Sequence, residues 1–136
     1  MGVRAGPSAS RMSKLLELVG DVPEIHFATG EVVIEEGVPF GDLYLLKEGE
    51  VEVIRDQLSI GRISKKGSVL GEISVLLGEP ATAKVVALTS CAFAVVKDAA
   101  SVIADSNEIT LEIARNLAHR LSWMTRTYVE QIYDDA

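Results

Sequence analysis

The sequence predicts a mainly β domain, an antiparallel β-roll or jelly roll with helices at both ends. Residues 25–96 consist of β-branched and aliphatic runs of four to six residues separated by glycines, which is typical of many short antiparallel strands. Apolar residues at helical spacing come before and after this region. A single helical interruption, residues 72–77, is expected as an insert within the β-roll.

Length and composition predict one folded domain and disfavour several classes of partner. The chain has 136 residues, 48% of them hydrophobic, which is enough for one core. Its 13 Lys and Arg against 20 Asp and Glu give a net charge of −7, which disfavours nucleic acid and anionic membranes. Cys91 is the single cysteine and no apolar run approaches about 20 residues, so we expect a cytoplasmic protein. We expect residues 1–11 to be a flexible tail before a domain over residues 12–136.

The first helix and the strands follow from local signals. Residues 12–19 carry apolar side chains at helical spacing and are followed by Gly20, a common helix stop. In the β region, Val51 and Val53 alternate with charged residues, which indicates a half-buried strand. Asp56-Gln57 then marks the tip of a hairpin.

Two helices are predicted at the C-terminal end. Asp98 is placed to cap a short helix over residues 99–104, and Ser106-Asn107 to cap a long helix over residues 108–133. The long helix exceeds what so small a roll can cover. Its apolar residues step by four, three and four, the spacing of a coiled-coil seam, and predict a homodimer. These seam residues are Leu117, Leu121, Met124 and Tyr128.

Residues 71–85, GEISVLLGEPATAKV, have the layout of an anion site. The N-terminus of a short helix exposes unpaired backbone N–H groups, and Gly71 permits close approach of the backbone to a ligand. Glu72 adds a carboxylate, which can only accept hydrogen bonds. Lys84 is the one positive charge within this stretch, so a bound phosphate would meet few cations along the local sequence.

Three motifs in order resemble the cyclic nucleotide-binding domain family over about residues 12–133. Residues 27–37, FATGEVVIEEG, look like the family's opening strand pair, and residues 41–53, GDLYLLKEGEVEV, like its second hairpin. Residues 70–85, LGEISVLLGEPATAKV, are similar to its phosphate-binding cassette and are called the cassette below. The resemblance implies a regulatory domain for cAMP or cGMP, not an enzyme.

The resemblance also assigns ligand contacts to the two ends of the cassette. These residues are Gly71, Glu72, Ile73 and Ser74, then Ala81, Thr82, Ala83 and Lys84. In the family, the glutamate at the position of Glu72 accepts a hydrogen bond from the ribose 2′-hydroxyl, and a hydroxyl at the position of Thr82 donates to the phosphate. Local sequence leaves other interpretations open. Glu72 can merely complement the dipole of a helix start, and Ser74 can be a surface serine.

The chain departs from the family pattern at position 81. The family places an arginine directly after the proline, against an equatorial phosphate oxygen, and here that residue is Ala81. If strand alternation puts Lys84 on the side of Thr82, Lys84 can supply a substitute charge. Alternatively, Lys84 faces water. Loss of one charge-assisted hydrogen bond, about 1.5–3 kcal/mol, weakens binding without abolishing it.

The sequence therefore predicts a ligand-sensing module with weak affinity for cyclic nucleotide or a related small anion, without a cofactor or metal. The resemblance implies that the C-terminal helix closes over the ligand, with Trp123 or Tyr128 against the base; either residue can instead be core or dimer packing. The alternative is a degenerate domain that works as an oligomerisation or partner-binding unit. If the chain is full length, we expect the output in both cases to require an unidentified protein partner. Two histidines without clustered ligands make a poor metal site, and Cys91 fits a core thiol.

Overall fold

The computed structural model describes the backbone of residues 14–135 and the side chains of residues 14–126, and it confirms the predicted β-roll with flanking helices. The strands are β1 (Glu24–Phe27), β2 (Val32–Ile34), β3 (Leu43–Glu48), β4 (Val51–Arg55), β5 (Leu58–Ile63), β6 (Val69–Leu70), β7 (Lys84–Ala87) and β8 (Cys91–Val96). The helices are α1 (residues 14–19), α2 (Glu72–Leu77), α3 (Ala99–Asp105) and α4 (Asn107–Asp135). Residues 12 and 13, which were predicted to begin α1, lie outside the described range.

Residues 14–135 form two antiparallel four-stranded sheets, in the orders β1-β8-β3-β6 and β2-β7-β4-β5. Buried residues from both sheets meet in one hydrophobic cluster, called the roll core here, so this cluster lies between the sheets. Its members are Val33, Ile34, Leu46, Val51, Leu70, Val85, Ala87, Cys91 and Phe93. The roll core is what holds the cassette strand β7 in place.

The helices pack against the first sheet in a second cluster, called the helix-side core. Its members are Leu15, Leu43, Leu45, Val69, Ala94, Val96, Ala99, Ile109 and Ile113. Strand β8 contributes to both clusters, and all six of its residues are buried. Successive side chains of a strand point to opposite faces, so a strand covered on both sides is apolar throughout. This explains the run CAFAVV.

Turns and helix ends follow the predictions with one exception. Asp56 and Gln57, the predicted hairpin tip, have φ of 50° and 67°, as a tight turn between β4 and β5 requires. Ser106 Oγ accepts a hydrogen bond of 3.2 Å from Ile109 N, so Ser106 caps α4 as expected. Asp98 precedes α3 in a left-handed conformation without a side-chain capping bond. The predicted cap at Asp98 was wrong, because φ of 50° is not the extended conformation that capping side chains need.

Candidate functional site

Gly71 directly precedes the cassette helix α2 and occupies a space that fits only glycine. Its φ is 93°, a conformation that L side chains rarely adopt. A Cβ there would lie 2.7 Å from the backbone oxygen of Asp42 and 2.7 Å from the ring of Phe40. The start of the cassette is therefore packed closely against the segment that leads into β3. The close approach of Gly71 to a ligand stays a prediction.

An aromatic group supports this contact from behind. Phe40 packs edge-on against Tyr44 with ring centroids 5.0 Å apart, and Tyr44 lies 5.5 Å from Phe93 in the roll core. Burial raises the pKa of the Tyr44 hydroxyl, and the nearby Asp42 carboxylate raises it further. Gly71 therefore packs on aromatic side chains that are continuous with the roll core.

Glu72 is a buried carboxylate held by an arginine from the far end of the chain. Its side chain is 7% exposed, and its Oε1 accepts a hydrogen bond of 2.8 Å from Arg120 Nη1. Arg120 Nη2 also donates to the backbone oxygen of Val69 at 3.0 Å. A buried carboxylate is costly unless it is paired, and Arg120 meets that need. Two hydrogen bonds therefore connect α4 to the cassette and to the strand before it.

Arg120 reaches the cassette because it ends a polar stripe on the buried side of α4. Ile109 and Ile113 anchor this helix in the helix-side core. Glu112, Asn116 and Arg120 follow one another at intervals of four, so they share one side of the helix. Glu112 and Asn116 are each 2% exposed. The stripe lies against the roll, and its last member is the one that contacts the cassette.

The middle of this stripe is incompletely hydrogen-bonded. Glu112 Oε2 accepts a bond of 2.7 Å from Arg115 Nη1, and Asn116 Nδ2 donates to the Glu112 carbonyl at 2.9 Å. Within residues 14–126, Glu112 Oε1 and Asn116 Oδ1 have no hydrogen-bond partner. A buried acceptor without a partner costs about 1–3 kcal/mol. Docking of α4 on the roll therefore carries an energetic cost at this turn.

Ala81 stands where the family pattern has arginine, and its backbone and side chain make contacts within the domain. Its backbone N–H donates to Val38 O at 3.0 Å, and its carbonyl accepts from Gly37 N at 2.8 Å. Its side chain packs against the roll core. The chain at position 81 is thus held by the loop before β3.

Lys84 begins β7 and pairs with Ile54 of β4. Val85 and Ala87 are buried in the roll core, so by alternation Lys84 lies on the opposite face of the strand, half-buried. Thr82 lies in a bend before β7, where strand alternation does not apply. The predicted common side of Thr82 and Lys84 is thus not set by a strand, and a ligand contact by Lys84 stays a prediction.

A cavity of about 310 Å³ lies between the cassette and the loop before β3. Its lining consists of Pro39, Phe40, Gly41, Ser74, Gly78, Glu79 and Pro80. Ser74, which is 7% exposed, follows Glu72 by two residues, or about 200° around a helix. The cavity and the Glu72–Arg120 pair therefore lie on different sides of α2. Ile73, between them in sequence, is exposed.

The structure brings together only part of the predicted lid and seam. Leu117 packs on the helix-side core, whereas Leu121, Trp123 and Met124 are 65%, 64% and 54% exposed. Tyr128 lies beyond the residues whose side chains are described. Helix α4 thus leaves the roll directly after Arg120 and presents apolar side chains to solvent. The roles of Trp123 and Tyr128 as a lid stay predictions.

Other reactive groups do not gather into a site. Among the described residues, no three His, Cys, Asp or Glu side chains are arranged to hold a metal ion. His26 Nε2 lies 3.0 Å from Glu24 Oε2 on the surface, and the buried Cys91 thiol donates to Thr89 O at 3.2 Å. No helix in the described part of the chain has the length and apolar character to cross a bilayer.

Sequence reasoning identified the cassette but missed Arg120. The residue lies 48 positions after Glu72, and nothing local distinguishes it from the other arginines of the last helix. One signal was available in the sequence. Glu112, Asn116 and Arg120 interrupt the apolar side of an amphipathic helix at regular spacing, and buried polar residues at such positions usually have a specific partner.

Comparison with known proteins adds the following similarities. The sequence model of the family described as cyclic nucleotide-binding domain matches residues 24–109. A cGMP-dependent protein kinase of Caenorhabditis briggsae is 37% identical over 76 residues, which are 56% of this chain and 10% of the kinase. A cAMP-dependent protein kinase regulatory subunit of Aspergillus fumigatus is 36% identical over 67 residues, 48% of this chain and 16% of the subunit. The chain thus spans a small fraction of the curated relatives that it matches.

Solved structures share the fold. A cyclic nucleotide-binding domain from Methylobacillus flagellatus superimposes with a TM-score of 0.68 at 22% identity, covering 98% of this chain and 89% of the other. The catabolite activator protein of Thermus thermophilus gives a TM-score of 0.66 at 18% identity, covering 93% of this chain and 60% of the other. Both the roll and the long last helix therefore occur together in known proteins.

Proposed function

The chain belongs to the cyclic nucleotide-binding domain family, which confirms the resemblance found in its sequence, and we propose that it is a cytoplasmic ligand-sensing module for cAMP or cGMP. The observation that supports this most strongly is the Glu72–Arg120 pair. It gives the carboxylate that we assign to the ribose a fixed position. It also gives the helix that we assign to signalling a direct contact with that carboxylate.

Glu72 retains capacity for a ligand although Arg120 already binds it. An ionised carboxylate has about four acceptor positions, and the Arg120 contact uses one of them. We assign the ribose 2′-hydroxyl to Glu72 as the donor. We assign the phosphate to the two ends of the cassette, near Ser74 and Thr82. Ala81 offers no cation there, so we expect a lower affinity than an arginine at this position would give.

Signalling would follow from the position of α4. Arg120 is the last residue of this helix before the exposed residues 121–126. A ligand that changes the Glu72 contact therefore changes the interaction that fixes the outer half of α4. In the proposed mechanism Trp123 or Tyr128 then covers the base, and an unidentified protein partner responds to the new position of the helix. The role is regulatory and needs no catalytic group.

The proposal is tested by titration of the full chain with cAMP and cGMP in a calorimeter, with linear 5′-AMP as the control ligand. We expect saturable binding of at least one cyclic nucleotide in the micromolar range or weaker, with 5′-AMP binding less tightly. A wild-type protein that binds neither cyclic nucleotide at millimolar concentration contradicts the proposal.

A second candidate is an oligomerisation or partner-binding unit. It is favoured by the exposure of Leu121, Trp123 and Met124, three large apolar side chains within four residues of α4. In this case the helix works as an interface whether or not a nucleotide binds. The two functions are compatible, because the exposed residues begin where the contacts to the roll end.

A further inference from the structure

We propose that the edge strand β5 is a docking site for an acidic, extended segment of a partner protein, which adds to the second sheet as a further strand. The surface consists of β5 and the exposed cations on and beside it, Arg55, Arg62, Lys65 and Lys66, and is called the basic edge here. The inference goes beyond the proposed function, because it requires no nucleotide. It gives the unidentified protein partner a surface and a chemistry.

The first step of the argument is that β5 has one open side. In the sheet order β2-β7-β4-β5 it is the last strand, and it pairs with β4 on one side. Within residues 14–126, no loop or side chain hydrogen-bonds to the backbone of β5 on its other side. The unpaired N–H and C=O groups of an edge strand are a template for another strand. The backbone of β5 can therefore accept an extended peptide.

The second step is that this strand exposes large apolar side chains. Leu58 and Ile60 are 69% and 60% exposed, although they lie next to each other on the open side of the sheet. Ile63 anchors the end of the strand, because it packs against the roll core. Gly61 leaves space between these residues, since no atom lies within 4 Å of its Cβ position. A partner strand with apolar residues would bury Leu58 and Ile60.

The third step is that the cations of the basic edge have no carboxylate partners. Residues 55–66 hold four of the 13 Lys and Arg residues but one of the 20 Asp and Glu residues, in a chain with a net charge of −7. Among the described side chains, none of these four cations forms an ion pair. Glu52 lies opposite Arg62 in the ladder, but its carboxylate accepts a hydrogen bond of 2.8 Å from Ser59. Carboxylates of a partner are therefore the complementary groups.

The same charges disfavour the other occupants of this edge. Antiparallel pairing of two copies of β5 brings Arg55 of one copy close to Lys65 and Lys66 of the other, and like charges on paired strands repel. A nucleic acid would meet the cations but would not pair with the backbone. An extended peptide in which acidic and apolar residues alternate can pair with the backbone, cover Leu58 and Ile60, and bring carboxylates to the cations.

The test titrates the full chain with the peptide acetyl-Glu-Val-Glu-Ile-Glu-Val-Glu-amide in a calorimeter, without nucleotide. A control peptide has the same side chains but an N-methyl group on every peptide nitrogen, so it cannot donate hydrogen bonds to a strand. Arg62→Glu reverses one charge of the basic edge, and the matched control Lys97→Glu reverses an exposed cation outside it. We expect Arg62→Glu to weaken peptide binding at least about tenfold and Lys97→Glu to change it less than about twofold. The N-methylated peptide should not bind.

Amide hydrogen exchange locates the bound peptide. Strand addition should slow the exchange of backbone amides within residues 58–63 when the peptide is present. The amides of β2, the strand at the opposite edge of the same sheet, should exchange at an unchanged rate. Both measurements depend on exposed residues, so the variants are expected to fold, which circular dichroism checks.

Four outcomes would overturn the inference. Equal binding of the two peptides means that charge alone attracts them and that no strand is added. Tighter binding of single-stranded oligothymidine than of the acidic peptide means that the basic edge contacts nucleic acid. A lower mass of Leu58→Glu than of the wild type in light scattering means that a second copy occupies the edge. No binding of the acidic peptide at millimolar concentration means that the cations only protect the edge from self-association.

Discussion

Arg120 Nη1 lies 2.8 Å from Glu72 Oε1 and connects the last helix to the cassette across 48 residues of sequence. The two partners are unequally buried, with side chains 33% and 7% exposed. An unpaired buried charge is costly, so loss of Arg120 should destabilise the fold more than loss of Glu72. This relationship determines what each substitution at the pair should do.

The first prediction is an asymmetric loss of stability at this pair. Arg120→Ala leaves the buried Glu72 carboxylate without its ion-pair partner. It should therefore lower the free energy of unfolding more than Glu72→Ala, which leaves only a partly solvated guanidinium without its partner. We expect a coupling energy of about 1–3 kcal/mol from a double-mutant cycle, reduced from fully buried pairs because Arg120 is partly exposed. Urea unfolding of the two single variants and the double variant measures it.

The control for this cycle is the exposed pair between Lys47 and Glu24. Its atoms are 2.6 Å apart, but both side chains are about 40% exposed, at 41% and 38%. The hydrogen bond from Lys47 is the main reason that the pKa of Glu24 lies below its usual value. Lys47→Ala should therefore lower the free energy of unfolding less than Arg120→Ala, because solvent screens the exposed pair. Additive effects of the Glu72 and Arg120 variants would show that their short contact does not contribute in solution.

The second prediction concerns Gly71→Ala. The new Cβ meets the Asp42 oxygen and the Phe40 ring at 2.7 Å, and φ of 93° strains any L residue. We expect a loss of about 2 kcal/mol or more in the free energy of unfolding, and weaker ligand binding because α2 is displaced. Gly61→Ala is the control, since no atom lies within 4 Å of its Cβ position. Equal stability of the two variants would contradict the close packing at Gly71.

The third prediction is that Ala81→Arg tightens cyclic nucleotide binding by at least about tenfold, the gain expected from one charge-assisted hydrogen bond. The arginine must leave the roll core, where Ala81 now packs, so a modest loss of thermal stability should accompany the gain. Ala104→Arg, on the exposed surface of α3, adds the same charge elsewhere and should not alter affinity.

Lys84→Ala tests whether Lys84 supplies the positive charge that binds the phosphate in place of an arginine at position 81. If Lys84 replaces the missing arginine, its removal should abolish cAMP binding, and Ala81→Arg should then gain little. From its position on the outer face of β7, we expect less than a threefold change. Calorimetric titration of both variants decides between these results.

The fourth prediction is a homodimer formed through α4. Leu121 and Met124 are exposed at seam positions, and such residues normally need burial. Light scattering should give about twice the monomer mass, and Leu121→Glu should halve it. Leu58→Glu, at a residue of β5 that is 69% exposed, is the matched control and should leave the dimer intact. A wild-type monomer at high micromolar concentration would rule out the seam.

Much of the fold was predictable because it depends on local periodicity. The hairpin tip at Asp56-Gln57, the helix over 72–77 and the cap at Ser106 all arise from residues close in sequence. A glycine at position 71 was also interpretable from the sequence, since it precedes a short helix where a close backbone approach needs a residue without a side chain. These features need only the spacing of apolar residues and the conformational preferences of a few turn residues.

The electrostatics of the site were not predictable, because they depend on tertiary contacts. The sequence offers Lys84 as the one cation within residues 71–85, but β7 begins at that residue and places it on the face opposite to the core. Arg120 becomes the partner because α4 folds back along the roll. The residues around Glu72 and around Arg120 do not show that these two side chains meet in the folded domain.

Nucleotide sensing through Glu72 is tested most directly by calorimetric titration of cAMP and cGMP into the wild type, Glu72→Ala and the control Glu17→Ala, which alters an exposed glutamate of α1. We predict saturable binding to the wild type and to Glu17→Ala, and at least tenfold weaker binding to Glu72→Ala while that variant remains folded by circular dichroism. If folded Glu72→Ala binds the same nucleotide with unchanged affinity, Glu72 has no part in ligand binding and the proposed function of this residue is wrong.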